Sequence, residues 1–291
     1  MINGIIVDLI TPTHADGSPD YETVEILVDW HVTNGSTALI IGSSTGHPAY
    51  MNTEERTELL RRAIWQADSR IPIIADLSSD TIDHAFELAD VANEYGASAV
   101  LITAPTDKTY SENELIEHFQ TLAKASQCPA IIRAESNLNN LLAPESIAEL
   151  AQSSSINGYI DGSMDNSDAT TLLGINLPQD FTLYAGHDAS ACQQLLAGYG
   201  GSVSISANVN PVLLNKLFTL TQSGDSAAAE ALDAHLQTLY SALLEDPNSI
   251  PIKWALVEMG CIPESENPPV LTQASDYSNL RRALRAAEIP I

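Results

Sequence analysis

Eight short β-branched or apolar runs, separated by amphipathic stretches, recur along this 291-residue chain. Nothing else in the sequence narrows its fold as much. The runs are Gly4–Ile10, Ala38–Ile41, Ile73–Asp76, Ala99–Ile102, Pro129–Ile132, Gly158–Ile160, Phe181–Tyr184 and Ser202–Ile205. They start roughly 20–35 residues apart, the interval that a strand and a crossover helix fill. Helical periodicity lies between them at Tyr21–Asn34, Thr53–Ala67, Ile82–Tyr95, Glu112–Ser126 and Pro144–Ala151. In the second of these, Leu59, Leu60, Ala63, Ile64 and Ala67 form one apolar stripe. Thr53 reads as its N-cap, and Arg56 three residues on leaves the capping box incomplete. "NPVLLNKLFTLTQ", "SAAAEALDAHLQTLYSALL" and "IPIKWALVEMG" add helices after the eighth run, and "PESENPPV" (263–270) reads as a loop.

The pattern predicts an α/β chain folded as a (β/α)8 TIM barrel over residues 1–209. Residues 210–291 are expected to form a C-terminal helical extension packed on the barrel, within one structural domain. An open doubly wound sheet is the alternative. It calls for a glycine-rich phosphate turn after the first strand, where this chain has "TPTHADGSPD" instead.

Composition excludes some function classes. The net charge is −26, and the only lysines are Lys108, Lys124, Lys216 and Lys253. Such a surface repels nucleic acid and anionic membranes, which are bound through clustered Lys and Arg. The acids are spread along the chain, so the charge reads as solubility suited to a salt-rich cytoplasm. No apolar run approaches the ~20 residues of a membrane span. The N-terminal run has no basic flank and reads as a strand rather than a signal peptide. Cys128, Cys192 and Cys261 are too widely spaced for a zinc site or a disulfide framework. We therefore expect a cytoplasmic protein without metal or cofactor.

Four segments, taken together, resemble the dihydrodipicolinate synthase/N-acetylneuraminate lyase family across essentially the whole chain. They are "GIIVDLITPTHADGSPDYETVEILVDWHVTNG", "IIGSSTGHPAYMNTEER", "YAGHDASACQQLLAGYGGSVSISANVNP" and "DPNSIPIKWALVEMG". The resemblance implies the same barrel with C-terminal helices, assembled as a homo-oligomer (dimer or tetramer). It also implies a lysine at the end of strand six that condenses with pyruvate or a related 2-oxo acid, the iminium then serving as electron sink. That region is "NGYIDGS" here, which puts Ile160 at the lysine position and Asp161 after it. No lysine lies between Lys124 and Lys216, so a small shift in alignment supplies none. The family's tyrosine after strand five corresponds to Arg133, and the tyrosine of the loop after strand four to Asp107. Neither replacement relays protons as a phenol does.

The remaining candidates follow from position. Ser44 and Thr45 stand where the family has paired threonines, and their hydroxyls and turn N–H groups suit a carboxylate or serve only as turn formers. His47 follows them, and Gly186, Val203 and Asn208 sit in well-matched surroundings near the last strands. Val203 is counted with Ser44, Thr45 and Arg133 as ligand-binding. Arg133 at a strand end calls for an anion, either a bound ligand or a salt bridge to Asp107, Asp161 or Glu135. His187 with Asp188 could form an acid/base or metal pair, although no third ligand is evident. Lys108 is a candidate relocated amine, while Asp161 lines the pocket or caps a loop. Three functions follow in order: a lysine-independent protein binding a small carboxylate or 2-oxo acid metabolite, a non-catalytic partner or regulator of an active relative, and an aldolase using Lys108.

Overall fold

The computed structural model describes residues 2–14, 16–46, 51–79, 81–105, 108–134, 142–163, 166–245, 249–263 and 277–291. Eight parallel strands close into a barrel in chain order. They are β1 (Gly4–Asp8), β2 (Ala38–Ile41), β3 (Ile73–Asp76), β4 (Ala99–Thr103), β5 (Ala130–Arg133), β6 (Ile156–Asp161), β7 (Thr182–Ala185) and β8 (Gly201–Ser204). The strand-to-strand helices are α1 (Tyr21–Thr33), α2 (Thr53–Ala67), α3 (Ile82–Tyr95), α4 (Glu112–Ala125), α5 (Pro144–Leu150), α6 (Asn166–Gly174) and α7 (Asp188–Ala197). Beyond β8 come α8 (Pro211–Gln222), α9 (Ser226–Leu243), α10 (Ile250–Glu258) and α11 (Ser278–Ala286). Among the described residues no helix is long and apolar enough to cross a membrane.

The barrel form follows from strands that are apolar on both faces, as parallel strands must be when helices cover one side and a filled interior the other. Two buried clusters correspond to the two sides of the wall. Ile6, Ile40, Ile74, Leu101, Ile131, Ile160, Tyr184 and Val203 pack together in the interior. Their strand neighbours Val7, Ile41, Ala75, Val100, Ile132, Tyr159 and Leu183 belong to the larger core shared with the helices. The period of two therefore assigns every strand residue a side.

Local capping departs from the sequence expectation at α2. Asn52, not Thr53, is the N-cap: its side chain accepts from Glu55 N while Glu55 accepts from Asn52 N, which completes a capping box. Asn caps better than Thr and puts Glu rather than Arg at the third helical position. A second box, Ser111 with Glu114, opens α4. Several strands begin or end one or two residues from the expected bounds. The consequential shifts are those that bring Thr103, Arg133 and Asp161 into β4, β5 and β6. Trp254 stacks on Tyr277 at 4.7 Å and Arg281 bonds Glu258 at 2.8 Å, which ties α10 to α11. Of the segment read as a loop at 263–270, only Pro263 lies within the described residues.

Candidate functional site

Active sites of (β/α)8 barrels gather at the C-terminal ends of the strands. In this barrel the inward positions at that end change character. Asp8, Asp76, Thr103 and Arg133 each lie two residues beyond an interior residue (Ile6, Ile74, Leu101 and Ile131) and so face the same way. Register places Arg133 beside Thr103 on β4 and beside Ile160 on β6.

The charges at this mouth compensate one another. Arg133 Nη1 lies 3.7 Å from Asp8 Oδ2, with the Asp8 side chain only 3% exposed. The Ser43 hydroxyl donates to Asp8 Oδ1. Asp76 is also buried; its Oδ1 accepts from Ser78 N at 2.6 Å. Burial pushes the Asp76 carboxyl up, against the pull of the Arg133 and Arg56 guanidinium groups. Arg56 reaches in from α2, and its Nη2 donates to Asp76 O at 3.2 Å and Gly42 O at 3.4 Å. Gly42 takes φ +82°, which a side chain rarely adopts, and so turns the chain out of β2 into the 3-10 turn Ser44–Gly46. Asn208 closes the ring between the last and first strands. It donates to Asp8 O at 2.8 Å and accepts from Ile10 N at 3.1 Å.

The residues expected from the sequence divide into groups. Ile160 is inward and 2% exposed. Val203 belongs to the same interior cluster. Thr45 is buried in the turn after β2, and Ser44 is described by its backbone alone. Arg133 faces the mouth and pairs with Asp8, a partner the sequence did not suggest, while Asp107 and Glu135, two of its expected partners, lie outside the described residues. Asp161 does not line the mouth. It has the parity of Tyr159, faces the helices, and accepts from Tyr199 Oη at 2.6 Å and Gln194 Nε2 at 3.2 Å. Its other oxygen accepts from Ser163 N at 2.9 Å, so it caps the loop after β6.

Lys108 is exposed, with its ammonium 4.6 Å from the centre of the Tyr110 ring. His187 is the N-cap residue of α7 and makes no side-chain capping bond. Asp188 is instead directed to Ser206 N at 2.8 Å. Among the described residues no group of three potential ligands could hold a metal. His47, Asp107 and Glu135 lie outside the described residues.

Sequence reasoning missed Asp8, Ser43, Asp76 and Thr103. The available signal was an aspartate at the end of an apolar run, two positions after an inward isoleucine. Two surface grooves, of about 530 and 360 Å³, run between α2 and α3 and contain none of the mouth residues.

Residues 1–287 match the model of the dihydrodipicolinate synthetase family. A 4-hydroxy-tetrahydrodipicolinate synthase of Nitrosococcus oceani is 34% identical over 291 residues, covering 99% of each chain. One from Herminiimonas arsenicoxydans is 33% identical over 288 residues, covering 97% of each. Among solved structures, the Acinetobacter baumannii dihydrodipicolinate synthase complexed with pyruvate superimposes with a TM-score of 0.90 at 30% identity, covering 99% of this chain and 100% of that one. The enzyme from Aquifex aeolicus gives a TM-score of 0.91 at 27% identity, covering 99% of each.

Proposed function

The chain belongs to the dihydrodipicolinate synthetase family, and on that premise we propose that it binds a small carboxylate metabolite at the barrel mouth without condensing it onto a lysine. The observation that carries this reading is Ile160. It is an apolar residue facing the interior, in register with Arg133, where the resemblance expects the amine. Imine formation needs an unprotonated amine beside the ketone, and isoleucine offers none. The four lysines are all elsewhere in the chain. Lys108 is exposed, Lys124 lies in the last turn of α4, Lys216 in α8 and Lys253 in α10. Arg133 supports anion binding by its charge and planar donors, and the hydroxyl turn over residues 43–46 lies next to it through Asp8. The chemistry these residues leave open is proton transfer or elimination, with Asp8 and Asp76 as the carboxylates at the mouth.

Incubation with pyruvate and borohydride should leave the intact mass unchanged. A pyruvyl adduct overturns the reading, and peptide mapping then locates the amine. Lys253 is the lysine to inspect first, because burial pushes its amine down to about 8, with Lys108 second. An adduct on Lys108 whose loss in Lys108→Ala abolishes turnover establishes the relocated-lysine alternative.

A second reading, a non-catalytic partner or regulator assembled with an active family member, is favoured by Trp65. Its side chain is 73% exposed on α2 beside the smaller groove. Light scattering on the purified chain, alone and mixed with an active relative, tests it: a mixed assembly that Trp65→Glu dissolves supports it, and a monomer in both samples removes it.

A further inference from the structure

Donors and acceptors at the mouth do not balance. Asp76 Oδ1 takes the Ser78 amide hydrogen, but Asp76 Oδ2 is buried and accepts no hydrogen bond. The neighbouring Thr103 hydroxyl is likewise buried without a partner. Asp8 is already served by Ser43 and Arg133. Three consecutive strands, β3, β4 and β5, thus end inward in an unsatisfied carboxylate oxygen, an unsatisfied hydroxyl and a guanidinium. Among the described residues, the carboxylates of Asp8 and Asp76 face the mouth, and the Arg133 and Arg56 guanidinium groups lie near them. Arg56 donates to the backbone carbonyls of Gly42, Asp76 and Ser78.

This arrangement discriminates between small acids that differ only at the carbon next to the carboxylate. A 2-oxo acid presents acceptors there. With its carboxylate toward Arg133, its keto oxygen finds one donor, the Thr103 hydroxyl, and leaves the Asp76 oxygen with none. Leaving the Asp76 oxygen unsatisfied, or setting two acceptors against each other, weakens binding by about tenfold or more. A 2-hydroxy acid supplies one donor. A 2-amino acid supplies an ammonium with three donors and enters as a zwitterion, so the charge of the site does not change. Adjacent strands lie about 4.8 Å apart, so the backbones of β3 and β5 are separated by about 10 Å. An acid with its two polar groups on neighbouring carbons would bridge that span from Arg133 to Asp76.

We propose that the mouth selects small acids carrying a hydrogen-bond donor beside the carboxylate, in the order 2-amino, 2-hydroxy, 2-oxo acid, with Asp76 and Thr103 receiving the donor and Arg133 the carboxylate. The selectivity rests on the reading that the mouth binds a small carboxylate, and it names the class of ligand.

Titration calorimetry of the full chain tests the order with matched sets: alanine and lactate, each as both enantiomers, against pyruvate, and 2-aminobutyrate and 2-hydroxybutyrate against 2-oxobutyrate. One enantiomer of the amino acid should bind at least about tenfold more tightly than the oxo acid, with the hydroxy acid between them. Asp76→Asn, with folding checked by its melting curve, should bring the three classes within about threefold of one another. An oxo acid that binds as tightly as both amino acid enantiomers overturns the selectivity and leaves the carboxylate-binding reading standing. Millimolar failure of every acid overturns both. The wild-type order alone decides the point if the variant does not fold.

Discussion

The lower and upper levels of this barrel are built on the same strands, and they are held by different forces. At the lower level Ile6, Ile40, Ile74, Leu101, Ile131, Ile160, Tyr184 and Val203 fill the interior as a cluster bonded by little except packing. Two residues further along four of those strands stand Asp8, Asp76, Thr103 and Arg133. Removal from water favours every group at the lower level. At the upper level each charge is unfavourable to bury by itself and is tolerated because another lies beside it. The lower level therefore answers to volume and the upper level to pairing.

Variants can break that comparison, and the largest effect is expected at Arg133. Arg133→Met keeps the length of the side chain and removes the charge, leaving Asp8 and Asp76 buried together. Urea unfolding should show a loss of about 3–5 kcal/mol, with part recovered when Asp8→Asn is added. A loss below about 1 kcal/mol would mean that the pair is solvated and the upper level resembles ordinary surface.

Asp76→Asn should change stability at neutral pH by less than about 2 kcal/mol, and its information lies in the pH dependence. The folded state holds the Asp76 carboxyl above its ordinary 3.8, so the favourable contribution of the protonated acid is full below that value and is lost as pH rises through the folded value. The wild type should lose this contribution on going up from about pH 4, and the variant should not. Equal slopes in the two melting-temperature profiles would show that Asp76 titrates as an exposed acid does.

At the lower level Ile160→Val removes one methylene from a close-packed layer and should cost about 1 kcal/mol. A cost near zero would place Ile160 against open space instead of the interior cluster. The smallest effect is expected for Thr103→Val, which deletes a buried hydroxyl that has no partner. Its stability should stay within about 0.5 kcal/mol of the wild type, because an unsatisfied hydroxyl contributes no bond to lose. A loss above about 1.5 kcal/mol would reveal a hydrogen bond that the ligand-free mouth already makes.

Much of this was legible in the residues. Runs such as Ala38–Ile41 and Ile73–Asp76 match their strands end for end, because apolar strands flanked by turn-forming residues have sharp bounds. The apolar pattern stops short of the ends of β4, β5 and β6. Thr103, Arg133 and Asp161 are polar, and hydrophobicity alone stops before them although the backbone continues to pair. The same habit hid the site. Asp8 and Asp76 lie within predicted strands, but their inward parity shows only once Ile6 and Ile74 are known to face the interior. Asp161 shows the converse. Its place next to Ile160 suggested the pocket, whereas adjacent strand residues face opposite sides and its carboxylate anchors Tyr199 and Gln194 instead. The capping of α2 by Asn52 was accessible to sequence reading too, since the box needed only a start one residue earlier.

Taken by itself, the sequence determined the closed eight-stranded barrel, the family, and the isoleucine at position 160. These depend on short-range periodicity and on motifs that a linear chain carries in full. Only the tertiary structure decided that Arg133 pairs with Asp8, that Asp76 stands close enough to feel the same guanidinium, and that Thr103 completes the row. Those groups are separated by 125, 57 and 30 residues. Closing the barrel brings them together, because each occupies the inward position at its strand's end. Which charges meet there depends on how the strands are staggered, and no local pattern in the chain records that stagger.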